Sequence, residues 1–356
     1  MNARIIVLPG DGIGPEVTSS AVAVLEETAR RHGHNFSFES CPIGGAALAE
    51  GDAALPAATL AAARSADAVL LGAIGDPRFD HLPPGERPES ALLGLRRALG
   101  LFANVRPARA WAGLEAIGPL RPEVLAGTDL VVVRELTGGL YYGEPRGIDR
   151  DGASAVNTMR YTRDEVTRIA RVAFELARTR RRHVTSVDKA NVLEVSRLWR
   201  SVVTDVGAAY PDVRLSHEYV DAAAMKLVLA PASFDVVLTG NLFGDILSDE
   251  AGAVAGSLGL LPSASLSTSR PGMFEPVHGS APDLSGRDVA NPVGAMASAA
   301  MLLGDGLGLH AEAAAVTAAI ETAMRSGLRT VDIAGPGDQV VGTRAFTAAV
   351  VGALGT

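Results

Sequence analysis

Cysteine is almost absent from this chain. Cys41 stands alone, so neither an internal disulfide nor a Cys-based zinc cluster can form, and the usage fits a reducing compartment. Lysine is nearly as scarce: only Lys189 and Lys226 are lysine among 32 basic residues. Arginine keeps its proton at any accessible pH whereas lysine can release it, so each remaining lysine is a candidate for work that arginine cannot do. Positive charge as a whole is in deficit. With 40 acidic against 32 basic side chains the net charge is −8, which argues against nucleic acid and anionic membrane surfaces as main partners. Long apolar runs are missing too. The longest uncharged stretch, Ala251 to Ser269, is broken by Pro262 and five serines, the wrong material for a spanning helix of about 20 mainly apolar residues. No secretory or transit segment is expected, because Arg4–Leu8 already reads as a strand; the expected location is the cytoplasm. Neither lysine follows a glycine, which excludes a Walker phosphate loop, and no GxSxG elbow or HExxH pair occurs.

What the chain does contain is an alternation. Arg4–Leu8, Asp67–Leu71, Asp129–Val133, His183–Val187 and Phe234–Thr239 are short runs with the look of buried strands. Between them, Val17, Ala21, Val24, Leu25 and Thr28 share one helical face, as do Val166, Ile169, Ala170, Ala173 and Ala177. The pattern predicts an α/β protein with a largely parallel sheet. Each of the five strands runs into a polar or Gly-rich turn: Pro9–Pro15, Gly72–Pro77, Arg134–Gly139, Asp188–Asn191 and Gly240–Asp245. Ligands of open α/β sheets bind beyond the carboxyl ends of the strands, so these five turns define the edge to watch. The first of them is not a Rossmann fingerprint, because the third glycine of GxGxxG would fall on Pro15. By spacing it is a tight turn leading into a helix.

Several side chains near that edge suit chemistry, and each also has an ordinary reading. Asp245 and Asp249, four apart, share a helical face and suit a hard divalent cation; a solvated acidic first turn explains them as well. Asp221 is a candidate third ligand. Arg96, Arg106 and Arg134 lie near the ends of different elements, and an arginine fork binds carboxylates in pairs of hydrogen bonds. Tyr141 and Tyr142 follow a glycine pair. The segment Phe274–Asp283, continuing to Asn291, is too elaborate for a plain connection, although His278 alone reads as a structural histidine.

Seven segments together resemble one family. They are LPGDGIGPEV (Leu8–Val17), RPESALLGLR (Arg87–Arg96), LFANVRP (Leu101–Pro107) and RELTGGLYYGEPRG (Arg134–Gly147), then SVDKANVLE (Ser186–Glu194), TGNLFGDILSD (Thr239–Asp249) and EPVHGSAPDLSG (Glu275–Gly286). In this order they are similar to the isopropylmalate/isocitrate dehydrogenase family of β-decarboxylating dehydrogenases. The resemblance implies that family's own α/β fold, two α/β domains with a largely parallel sheet, and not a conventional Rossmann fold. It implies a discontinuous cofactor-binding domain of residues 1–101 plus 256–356, and a central substrate, metal and dimerisation domain of residues 102–255.

For the site, the resemblance implies NAD with Mg²⁺ or Mn²⁺, and a homodimer whose active sites are shared between subunits. Arg96, Arg106 and Arg134 would clamp substrate carboxylates. Asp221, Asp245 and Asp249 would hold the metal, with Asp221 also touching substrate, and Asp221 and Lys189 would reach in from the partner subunit. Lys189 would be the base and Tyr141 the acid; only the resemblance chooses Tyr141 over Tyr142. Leu92, Leu93 and Val192 would face the substrate's alkyl group. Glu89, Ile13, Glu275, His278, Gly279, Ser280, Ala281, Pro282, Asp283, Leu284 and Asn291 would line the dinucleotide site, Asp283 on the adenosine ribose. The implied reaction is NAD-dependent oxidative decarboxylation of 3-isopropylmalate in leucine biosynthesis. Alternatives are the same chemistry on another 3-alkylmalate, or a catalytically silent nucleotide-binding regulator. The chain departs from the family at Ala91, where Gly is common, at Gly286–Val289, and after Gly327.

Overall fold

The computed structural model describes residues 1–111, 113–114, 117–269 and 271–354. Along the first stretch run β1 (Asn2–Gly10), α1 (Gly14–His32), β2 (Asn35–Ser40), α2 (Gly45–Ala49), α3 (Ala57–Arg64), β3 (Ala68–Ala73) and α4 (Pro88–Ala98). Then come β4 (Ala103–Arg109), α5 (Pro122–Leu125), β5 (Asp129–Glu135), the hairpin β6 (Arg146–Ile148) and β7 (Ala155–Asn157), and α6 (Arg163–Arg178). The middle continues with β8 (His183–Asp188), α7 (Glu194–Gly207), β9 (Arg214–Tyr219), α8 (Val220–Leu229), β10 (Val236–Thr239) and α9 (Asn241–Ala255). The last stretch holds β11 (Pro262–Leu266), β12 (Gly272–Pro276), α10 (Val293–Met301), α11 (His310–Arg325) and α12 (Thr343–Ala353).

These elements form two compact units: Met1–Leu101 with Trp111–Gly118 and Gly256–Thr356, and Phe102–Ala110 with Pro119–Ala255. In the first unit the strands lie in the order β2-β1-β3-β12-β11, all parallel except the β11–β12 pair. In the second the order is β4-β5-β10-β8-β9, with β4 antiparallel to β5 and the rest parallel. The sheets are therefore mostly parallel with helices over them, as the alternation predicts.

Local rules explain the elements that matter for the site. All five spaced residues of α1, Val17 to Thr28, are buried. Pro15 opens that helix, Arg30, Arg31 and His32 offset its carboxyl-end dipole, and left-handed Gly33 closes it. Thr162 and Glu165 form a reciprocal capping box at the start of α6, worth about 1 kcal/mol, and its five spaced apolar residues are buried as well. The first unit packs Ile6, Leu8, Val69, Leu71, Ala91, Leu95 and Met273 into one apolar core. Ala91 is therefore a core residue, and its extra methyl fills the inner side of α4. The Ala251–Ser269 stretch breaks into the end of α9, a 3₁₀ turn at Leu258–Leu260 and β11. Among the described residues, no helix is long and apolar enough to cross a membrane.

Candidate functional site

In the second unit, five of the expected site residues meet in one cluster. β4 and β5 are antiparallel neighbours, which sets Asn104 opposite Arg134 and Arg106 opposite Val132. α9 leaves the end of β10 after one residue, so its second and third turns carry Asp245 and Asp249 at that same edge. Arg106 Nε donates to Asn104 Oδ1 at 2.7 Å, and its Nη1 donates to Ser248 Oγ at 2.8 Å and Asp249 Oδ1 at 3.3 Å. Asp245 Oδ1 lies 3.7 Å from the same nitrogen. Arg134 donates to Asp245 through Nη1 and to Asn241 Oδ1 through Nε at 3.0 Å. Tyr141, in the 3₁₀ turn Gly139–Tyr141, donates its hydroxyl to Asp245 Oδ2 at 2.7 Å, with the Arg134 guanidinium 5.7 Å from its ring centre.

The electrostatics follow from that arrangement. Burial first, then the bond to and charge of Asp245, push the Tyr141 phenol up from its ordinary value, against Arg134 and Arg106. Burial also raises the Asp249 carboxyl; Asp245 adds to the shift while Arg106 and Arg134 oppose it. Two carboxylates crowded on one helical face and partly neutralised by arginines are hard oxygen donors suited to a divalent cation. They are only two. Among the described residues, no group of three His, Cys, Asp or Glu comes together that could hold a metal.

Asp221 is elsewhere in this unit, paired with Lys189. The strand end of β8 and the first turn of α8 bring Lys189 Nζ to 2.5 Å from Asp221 Oδ1. The bond from Lys189 holds the Asp221 carboxyl below its usual range. Val192 is exposed nearby in sequence, and the face of α8 that carries Asp221 continues into exposed Met225, Val228 and Leu229. Ile246 on α9 is exposed too.

The first unit holds the remaining candidates. Ile13, His278, Gly279, Ala281, Leu284 and Asn291 line a cleft of about 210 Å³, together with Gly259, Val331 and Asp332. Gly12 in the first turn lets the 278–284 loop approach closely. A Cβ on Gly12, whose φ is +57°, would come within 1.9 Å of the Ser280 carbonyl, the oxygen that accepts the Ile13 N–H at 2.8 Å. The turn is thus a seat for the 278–284 loop. His278 Nδ1 lies 2.9 Å from the Gly279 carbonyl oxygen, while its Nε2 is buried without a hydrogen-bond partner. Burial lowers its pKa and favours the neutral ring. A buried polar atom left open beside a cleft suits a ligand with its own donor or acceptor, and the mixed apolar and polar lining fits a nucleoside.

Glu89 lies in the first turn of α4. A side chain on Gly75 would meet both Glu89 Oε1, at 3.3 Å, and Ser280 Oγ, at 3.4 Å, so Glu89 and Ser280 flank the same glycine. Pro282 and Asp283 are exposed in a short 3₁₀ turn ending at Leu284. Arg287 reaches back to the Asp283 carbonyl at 3.4 Å. Arg96 and Glu275 form a buried ion pair at 2.7 Å, which ties the Glu275 carboxylate to α4; Arg96 Nε is buried without a partner. Leu92 packs against the apolar core, and Leu93 is 45% exposed.

Three residues here were not singled out in the sequence. Asp332 accepts from Ser257 Oγ at 2.6 Å and Asn291 Nδ2 at 3.0 Å in the cleft wall; it lies in the loosely matching segment, with no local signal. Asn241 and Tyr161 back the acidic cluster. Asn241 carries one signal, an amide at a strand-to-helix junction within Thr239–Asp249.

Fold and site together define an α/β protein with an arginine-paired acidic cluster in one unit and an open cleft in the other. The chain belongs to the isocitrate/isopropylmalate dehydrogenase family, whose model matches residues 4–350. It is 54% identical over 356 residues to the 3-isopropylmalate dehydrogenase of Halalkalibacterium halodurans, covering 99% of this chain and 98% of that one. It is 56% identical over 346 residues to the enzyme of the same name from Gloeobacter violaceus, 96% of each chain. Among solved structures, isocitrate dehydrogenase from Methylococcus capsulatus matches with a TM-score of 0.88 at 35% identity, over 99% of this chain and 100% of that one.

Proposed function

We propose that this protein catalyses the NAD-dependent oxidative decarboxylation of 3-isopropylmalate to 4-methyl-2-oxopentanoate, serving leucine biosynthesis in the cytoplasm. The observation that carries the reading is the cluster of Arg106, Arg134, Tyr141, Asp245 and Asp249 at one strand edge. The names of relatives at 54% and 56% identity support the substrate. Arg96, Arg106 and Arg134 bind the malate carboxylates and fix the carbon skeleton. Lys189 takes the hydroxyl proton. Tyr141 delivers a proton to carbon after carbon dioxide has left. Asp245 and Asp249, with the partner subunit's Asp221, would hold Mg²⁺ or Mn²⁺, which would supply Lewis-acid chemistry at the substrate. NAD, when bound by Glu89, Ile13, the 275–284 segment and Asn291, supplies the hydride acceptor. Within one chain Lys189 and Asp221 pair with each other, while Asp245 and Asp249 pair with arginines. That separation, and the exposed Met225, Val228, Leu229 and Ile246, support a homodimer in which each subunit completes the other's site.

The substrate and cofactor are tested in one panel, measuring kcat/KM for 3-alkylmalates and isocitrate with Mg²⁺ or Mn²⁺ present. 3-Isopropylmalate should exceed isocitrate by at least about a hundredfold, because Leu92, Leu93 and Val192 cannot pair an added carboxylate. NAD should exceed NADP, since the Asp283 carboxylate accepts from ribose hydroxyls and repels a 2′-phosphate. A preference for isocitrate would show the alkyl pocket to be misplaced, and equal use of NADP would end the reading of Asp283.

A further inference from the structure

We infer that Asn241, which nothing in the proposed mechanism uses, is the positioning residue that sets both the carboxylate-binding arginine and the acid; the inference rests on the proposed decarboxylation. Asn241 is 1% exposed and opens α9. Its Oδ1 accepts from Arg134 Nε at 3.0 Å, and its Nδ2 donates to the carbonyls of Leu136 and Gly138, both at 3.2 Å. One short amide therefore joins three pieces: the guanidinium of Arg134, the 136–138 turn that leads to Tyr141, and the helix that carries Asp245 and Asp249. A side chain with an acceptor on one atom and two donors on the next is needed for this, and only an asparagine supplies it at that length.

The surroundings leave Asn241 little freedom. Its own N–H donates to the Tyr161 hydroxyl at 2.7 Å. The Tyr161 ring lies so close to Gly139, where φ is +74°, that a Cβ there would meet its hydroxyl at 2.6 Å. The buried Glu135 carboxylate accepts the N–H groups of Thr137 and Gly138, at 3.0 and 2.7 Å. The turn bearing Tyr141 is thus gripped by a ring, a carboxylate and the Asn241 amide. Tethered through Nε to Asn241 and through Nη1 to Asp245, Arg134 is held from rotating about its long stem, which lowers the entropy lost when it binds a carboxylate.

Two substitutions separate the arms. Asn241→Asp keeps the size and the acceptor for Arg134 but replaces the donor to the turn with a second acceptor. Asn241→Ala removes both. Each variant is assayed with the malate that the wild type turns over best, and hydrogen exchange is followed in the peptide spanning residues 136–142 without substrate. For Asn241→Asp the expected result is a kcat lowered about tenfold, KM within about twofold of wild type, and exchange of that peptide accelerated about fivefold. Asn241→Ala should raise KM about tenfold as well. A residue that only stabilised the fold would change melting temperature and leave kcat and KM of the folded protein alike. Unchanged kinetics and unchanged exchange in both variants would overturn the inference. So would failure of both variants to fold, which would make the amide a requirement of the fold instead. A wild type inactive on every malate would end the catalytic reading, while exchange in the turn still decides whether Asn241 holds it.

Discussion

Lys189→Met is expected to lower the rate of NAD reduction by about a thousandfold or more, within the range for losing a positioned proton acceptor. Methionine keeps the length and removes the nitrogen, so the hydroxyl proton has nowhere to go. The protein should stay folded, because Lys189 gives up a partly exposed ion pair with Asp221 and a cation–π contact with Tyr219, and surface contacts of these kinds contribute little to stability. Tyr141→Phe supplies the contrast. It removes one hydroxyl whose partner is Asp245, and should leave oxidation partly intact while slowing protonation of the enolate. The pair is separated by stopped-flow measurement of NADH formation and by assaying each variant on the intermediate keto acid. NADH formation by Lys189→Met within tenfold of wild type would remove the lysine from the chemistry. Unimpaired turnover of the keto acid by Tyr141→Phe would do the same for the tyrosine.

Asp245→Asn and Asp249→Asn should each reduce turnover by at least about a hundredfold, the scale of losing a charge that stabilises the transition state. The two are not equivalent. Asp249 is more than half exposed and its ion pair among the described residues is with Arg106, so its substitution tests metal affinity almost alone. Asp245 also accepts from Arg134 and Tyr141, so its loss disturbs the arginine and the acid as well, and it should be the more damaging change. Both replacements keep the side-chain shape, and α9 should persist by circular dichroism. Calorimetric titration with Mn²⁺ should show weakened binding in each. Full wild-type activity in excess EDTA would sink the metal role of both residues.

Much of this was legible because it is periodic or local. The buried faces of α1 and α6 follow from spacing alone, and all five expected strands form, with ends shifted by a few residues. β11 and β12 were not legible: β11 begins at Pro262 and β12 ends at Pro276, and proline argues against a ladder position. β4 was hidden similarly by Pro107. For the site, single residues were ambiguous and their order along the chain was not. Asp245 and Asp249 are an unremarkable acidic turn until Arg106, Arg134 and Tyr141 are seen to converge on them. Pairings between distant residues, such as Arg96 with Glu275 or Asn291 with Asp332, leave no mark in a single sequence.

The discontinuity of the first unit also orders its assembly. Leu70 of β3 takes Phe274 of β12 as its ladder partner, about 200 residues away, and such a loop is costly to close. The middle unit is almost continuous in the chain and has its own five strands once residue 255 has been made. During synthesis β1 and β3 must therefore wait, with one flank of their ladder open, until β12 emerges. The expected order is the middle unit first and the flanking strands last, which pulsed hydrogen exchange during refolding would reveal as late protection of Ala68–Ala73. Protection of that strand ahead of β5 and β10 would reverse the order. The waiting strand is also where a chaperone would have to act, since an open edge that reads Ala-Val-Leu-Leu-Gly-Ala is a template for pairing with another chain.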